Sequence, residues 1–216
     1  MKIDKFLDGL TVGYDIPALP GMREDEILTP CLLIDLDVLE TNLRRMADFA
    51  REHGVKLRPH GKMHKSADIA RLQIEIGGAT GICCQKVSEA EAFVRAGITD
   101  ILISNEVRSP VMIDRLARLC AGGATISVCI DDIEGVEPLA EAARAHETEI
   151  TCLVEYDTGG KRCGVATLDG LLAIARAIDS ADSLNFGGIQ AYHGAMQHIV
   201  SYEDRRMAAL KSIQHA

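Results

Sequence analysis

Short apolar runs separated by longer stretches of helical period make up most of this chain. The runs Cys31–Asp35, Val55–His60, Gly81–Cys84, Asp100–Ser104, Thr125–Ile130, Thr151–Tyr156 and Gly187–Tyr192 are mostly apolar or β-branched on both faces. Strands of a parallel sheet covered on both sides have this pattern. Between them lie amphipathic segments that predict helices. Leu36–His53 places Leu39, Leu43, Met46 and Phe49 on one face, and Ser66–Ile76 opens on a capping serine. Ser88–Ala96 carries Glu91 three residues after Ser88, a capping-box spacing, and stops at Gly97. Pro110–Leu119, Glu134–His146, Leu168–Ser180 and Tyr202–His215 complete the alternation.

Repeated strand–helix units of this size imply parallel strands joined by right-handed crossovers. A doubly wound dinucleotide-binding sheet would carry a GxGxxG turn after its first strand, and none is present. The expected fold is therefore α/β, a (β/α)8 barrel. Residues 1–28, interrupted by Gly9, Gly13, Pro17, Pro20 and Gly21, read as an irregular arm, and 29–216 as the barrel. If Cys31–Asp35 leads into the barrel, about six barrel strands remain, whereas closure takes eight. The expectation is an incomplete barrel, the N-terminal piece of a longer protein.

Composition narrows the function. The chain is 47% hydrophobic and 25% charged, ordinary for a globular protein. A net charge of −9, from 23 Lys and Arg against 32 Asp and Glu, leaves no basic stripe to neutralise phosphates, so nucleic acid is not the expected partner. No apolar run is long enough to cross a bilayer and none resembles a signal peptide, so a cytoplasmic location is expected. Seven cysteines, two of them adjacent, do not form a disulfide framework and read as small buried hydrophobes. His53, His60 and His64 with Cys83 and Cys84 lack a zinc spacing.

Candidate chemistry concentrates in Arg58-Pro59-His60-Gly61-Lys62-Met63-His64-Lys65, just after an apolar run. Catalytic groups of a barrel belong at the C-terminal ends of its strands. A lysine there, partly desolvated and crowded by Arg58, Lys65 and the histidines, is favoured as a neutral nucleophile toward an aldehyde. Lone basic loops are more often solvated, and spacing alone does not overturn that.

The segment resembles the RPHxKTHK signature of the D-threonine aldolase and D-serine dehydratase branch of fold-type III pyridoxal-phosphate (PLP) enzymes, with Met63 in place of the usual threonine. Thr29–Asp37, Cys83–Lys86 with Glu89 to Glu91, Arg162-Cys163-Gly164-Val165 and Gln190-Ala191-Tyr192-His193-Gly194 agree with the same branch. Val12–Met22 and Gly194-Ala195-Met196-Gln197-His198 are most similar to the 3-hydroxy-D-aspartate aldolase family.

The resemblance implies an alanine-racemase-type barrel and a PLP-dependent lyase. Such an enzyme splits a β-hydroxy-D-amino acid, 3-hydroxy-D-aspartate first, into glyoxylate and glycine. D-threonine aldolase, D-serine dehydratase and a non-catalytic PLP-binding barrel stand as alternatives. Lys62 maps to the Schiff-base lysine. His193 is the candidate base at the β-hydroxyl, since imidazole titrates near working pH. Arg162 would face the ring nitrogen, where a permanent cation disfavours ring protonation and weakens the electron sink. Tyr192, Gln85 and His60 are further cofactor contacts.

A divalent metal (Mg, Mn or Co) is implied, bound mainly by residues outside this chain, as is a homodimer. Gly77-Gly78, Gly122-Gly123 and Gly187-Gly188 read as lying before strands, a poor place for a phosphate cradle. The chain by itself is expected to bind PLP weakly or not at all, and a C-terminal β-domain is expected to be absent from it.

Overall fold

The computed structural model describes residues 9–215. The chain divides into two compact units, residues 1–42 and 43–216. In the first, a tight turn closes when Gly13 donates to the Ile16 carbonyl (2.7 Å) and Thr11 donates to the Asp15 carboxylate (2.8 Å). Gly13 has φ +83°, in the left-handed region that favours glycine, and a Cβ there would press on a methyl of Leu28.

The expected strand Cys31–Asp35 is not one. No strand pairs with it among the described residues, and Leu32 is 98% exposed. Extended backbone without a neighbour cannot form a ladder, whatever its side chains favour. Asp35 instead caps the helix that follows, its carboxylate accepting from Val38 N at 3.0 Å. That helix, α1 (Leu36–Glu52), appears as expected. Its apolar stripe is less buried than the pattern suggested, with Met46 and Phe49 about half exposed and Phe49 stacked on His53.

The second unit contains five parallel strands in sequential order: β1 (Ile82–Cys84), β2 (Asp100–Glu106), β3 (Thr125–Ile130), β4 (Ile150–Tyr156) and β5 (Leu184–Ala191). Crossover helices separate them: α3 (Val87–Arg95), α4 (Pro110–Ala121), α5 (Val136–Ala145) and α6 (Leu168–Asp179). α2 (Ala67–Glu75) precedes β1 and α7 (Tyr202–His215) follows β5. This order, strand then helix with each new strand beside the last, is that of a (β/α)8 barrel.

The expected strand Val55–His60 meets β1 through a single bridge, His60 to Cys83, plus Cys83 N donating to Pro59 O at 2.8 Å. Pro59 has no N–H, so the ladder cannot continue through it. Among the described residues, five full strands therefore stand where about six were expected.

One face of the sheet packs on the helices. Ile82, Ile101, Ile103, Val128, Ile150 and Val154 are completely buried there, together with Leu116 of α4 and Ile178 of α6. Alternate residues point to the other face and include Cys83, Ser104, Cys129 and Glu155. Removing the side chain of Ile101 leaves a cavity that rigid neighbours on two layers cannot fill. Ile101→Ala is expected to lower stability by about 2–5 kcal/mol, read from the midpoint of urea unfolding.

Two local expectations change. Ser88 does not cap α3, which begins at Val87 after Lys86. Glu89 reaches back to accept from Gln85 N (2.9 Å), while Glu91 pairs with Arg115 of α4. Gly187 and Gly188 lie inside β5 rather than before it. The register between β4 and β5 shifts there and Gly188 has φ +118°, which marks a bulge. Ser66 does cap α2, its Oγ accepting from Ile69 N at 3.3 Å.

The seven cysteines are free thiols, five of them buried. Burial pushes the Cys84 and Cys152 thiols up to about 12 and Cys120 to about 11. They behave as small hydrophobes.

Candidate active site

A cleft of about 160 Å³ opens at the C-terminal ends of the strands. It brings together Lys62, His60, Gln85, Arg162 and Tyr192, five of the six residues singled out in the sequence. Arg58, Cys83, Ser104, Asn105 and Gln190 complete its wall.

Lys62 sits in a 3-10 turn, Gly61–Met63, immediately after the Pro59–His60 contact with β1. His60 shapes that turn. Its Nδ1 accepts from Lys62 N at 3.3 Å, so Nε2 carries the proton and faces Ser104 Oγ at 3.4 Å, which donates on to Cys84 O at 3.3 Å. Burial, and then the Lys62 charge, hold the His60 imidazole below its ordinary range, so it stays neutral in this role. Gly61 is buried between Phe93 and Ile82. A Cβ there would come within 2.6 Å of the Phe93 ring. Gly61→Ala must displace an aromatic ring of the core or the lysine turn, and is expected to cost about 1–3 kcal/mol in denaturant unfolding.

The crowding expected around Lys62 is partial. Arg58 lines the same cleft, but its guanidinium is engaged with the Asp100 carboxylate at 2.8 Å. Lys65 is exposed, and His64 turns to Gln73, with Nε2 3.2 Å from Oε1. Met63, the departure from the signature, is 81% exposed, so its side chain points away from the core.

Arg162 lies on the long loop between β4 and α6. Its guanidinium carbon stands 4.9 Å from the centroid of the Tyr192 ring, and Nη2 lies 3.6 Å from Glu155 Oε1. A cation stacked on an aromatic face and anchored from behind presents a fixed charge to the cleft. His193 follows Tyr192 but lines a neighbouring cavity of about 590 Å³ with Thr158, Lys161 and Ser212. Its Nδ1 is buried and without a hydrogen-bond partner. The structure therefore separates His193 from the wall that holds Lys62.

Sequence reasoning missed Ser104, Asn105 and Gln190 in the cleft, and Glu106 and Glu155 behind it. The available signal was the polar tail Ser104-Asn105-Glu106 on an apolar strand, expected to end at Ser104 but continuing through Glu106. A bulge between Ile103 and Glu106 brings Glu106 opposite Cys129 and onto the inner face. No periodicity argument would have placed it there.

Residues 34–216 match the family model "Alanine racemase, N-terminal domain". The chain belongs to that family. A 3-hydroxy-D-aspartate aldolase of Paracoccus denitrificans (strain Pd 1222) is 56% identical to this family member over 211 residues, 96% of this chain and 54% of that protein. A D-threonine aldolase of an Arthrobacter species is 46% identical over 189 residues, 88% of this chain and 49% of its own length. The crystal structure of D-threonine aldolase from Filomicrobium marinum superposes with a TM-score of 0.89 at 44% identity, covering 92% of this chain and 53% of that one. The alanine-racemase-type chain spans about half the length of the curated relatives it matches. No helix of its described residues is long and apolar enough to cross a membrane.

The donor set of the cleft fits the aldehyde and ring of PLP: a primary amine, a guanidinium stacked on a phenol ring, and a side-chain amide. It contains no glycine turn to cradle a phosphate and no carboxylate to hold a divalent metal, so the metal does not fit this wall.

Proposed function

We propose that this chain carries the lysine-bearing barrel of a PLP-dependent aldolase that cleaves a β-hydroxy-D-amino acid, 3-hydroxy-D-aspartate first, into glyoxylate and glycine. The supporting observation is the convergence of Lys62, Arg162 and Tyr192 on one cleft at the strand ends, in a chain 56% identical to an enzyme of that name.

Lys62, Arg162, Tyr192, Gln85 and His60 would hold the cofactor. When bound, PLP supplies an electron sink for the pair released as the Cα–Cβ bond breaks. Lys62 projects into the cleft from a turn whose backbone is held by His60 and Gly61. Arg162 keeps a permanent positive charge over the Tyr192 ring. His193 takes the β-hydroxyl proton at an imidazole nitrogen, from its station on the loop after β5. The enzyme works as a cytoplasmic homodimer.

Incubation with 3-hydroxy-D-aspartate, D-threonine and D-serine in turn, followed by product analysis, tests the assignment. Glyoxylate plus glycine from the first substrate, at the highest kcat/KM, supports it. Acetaldehyde plus glycine as the preferred outcome would make the enzyme a D-threonine aldolase, and release of ammonia a dehydratase.

A further inference from the structure

Behind the cleft lie two acidic side chains that the proposed reaction does not use. Glu155, on β4, is 3% exposed, and its Oε2 is buried with no donor facing it. Glu106 Oε1, on β2, is buried and equally without a donor. The two carboxyl groups nevertheless lie within hydrogen-bond reach of each other. Ionised carboxylates only accept, so two in contact repel unless one of them carries a proton.

The surrounding charges do not supply an alternative. Asp131, just past β3, adds a third carboxylate, and it accepts from Gly164 N at 3.0 Å. The Cys129 and Cys163 thiols lie beside the cluster, and burial foremost holds both up, Cys163 to about 11, so both keep their protons and add no charge. The cation identified beside Glu155 is Arg162, with Nη2 3.6 Å from Glu155 Oε1. One guanidinium cannot balance three carboxylates.

We propose that Glu106 and Glu155 share one proton, and that the resulting monoanion is the positioning device that fixes Arg162 against the cleft. With one proton retained, the pair carries a single negative charge matched to the single charge of Arg162. The guanidinium is then gripped between Glu155 behind and the Tyr192 ring in front. Burial foremost, then the negative charge of Glu106, pushes the Glu155 carboxyl up to about 7, with Arg162 opposing. The proton is therefore held below about pH 7 and is lost as pH rises through that value. The positioning role rests on reading the Lys62 cleft as a cofactor site; the shared proton does not depend on that reading.

Linkage gives the sign. The unfolded chain releases this proton in the ordinary carboxylate range, whereas the folded protein keeps it to about pH 7. The stability it contributes is complete below that ordinary range and fades as pH rises toward and through neutrality. Urea-unfolding midpoints across this window should fall with pH, and the slope should flatten in Glu155→Gln.

The direct test is NMR of the cofactor-free protein labelled with 13C at the glutamate carboxyls. One carboxyl should titrate near neutrality in the unsubstituted protein, which needs no variant to fold. Glu155→Gln should remove that titration, and Glu106→Gln should move the midpoint down toward the ordinary range. In the same samples, compared at one pH, the Arg162 Nε–H should exchange with water more slowly in the unsubstituted protein than in Glu155→Gln. A spectrum in which every glutamate ionises in the ordinary range, or a neutral titration that neither substitution alters, overturns the shared proton. An intact titration with Arg162 exchange indifferent to Glu155→Gln overturns the positioning role. Neither readout involves cofactor or substrate, so failure of the aldolase reading would show separately, in the labelling of Lys62.

Discussion

Lys62→Ala is expected to abolish covalent capture of PLP and, with it, aldolase activity. Incubated with excess PLP and reduced with borohydride, the unsubstituted chain should gain one pyridoxyl group, mapped to the peptide containing Lys62. The variant should gain none there. Borohydride makes a weakly populated adduct permanent, which matters because no glycine turn in the cleft wall cradles a phosphate. The site selectivity is physical. Lys65 is exposed, whereas Lys62 is partly buried in a cleft with a guanidinium and an aromatic face. Label spread evenly over the lysines, with Lys65 taking as much as Lys62, would remove the basis of the functional assignment.

His193→Ala is expected to lower kcat for 3-hydroxy-D-aspartate by about 10²–10⁴-fold, the usual worth of a positioned base, with a smaller change in KM. The prediction is demanding, because His193 lines the neighbouring cavity rather than the wall around Lys62. Its buried Nδ1 has no partner, an arrangement that ordinary structural histidines avoid. If the loss is confined to KM, or if His193→Gln restores the rate, the imidazole is binding or packing and another group takes the proton.

How far the sequence reached depends on what each feature needs. Buried parallel strands announce themselves locally, because both faces must be apolar and the run must be short. β3 was read at its observed bounds, and β2 and β4 were found to within a few residues. The lysine turn was equally legible, since Arg58–Lys65 is a contiguous motif. Local rules failed where a neighbour decides. Cys31–Asp35 has strand-like residues but no partner to pair with, and Val55–His60 is cut short because Pro59 has no N–H to give. Ser88 has a capping spacing, yet Glu89 reaches the freer N–H of Gln85 first.

Residue types and order along the chain were enough to read an incomplete α/β barrel, and the resemblance of one contiguous motif to a known signature singled out Lys62. Tertiary structure alone determined that Arg162, one hundred residues beyond Lys62, would rest on Tyr192 and against Glu155. It also placed Glu106 and Glu155 together through a bulge, and set His193 in a cavity of its own. The reason is that strand and helix periods are fixed by bonds between near neighbours. Which polar groups meet at the strand ends depends instead on register, bulges and loop paths, and these are settled only when the whole sheet packs.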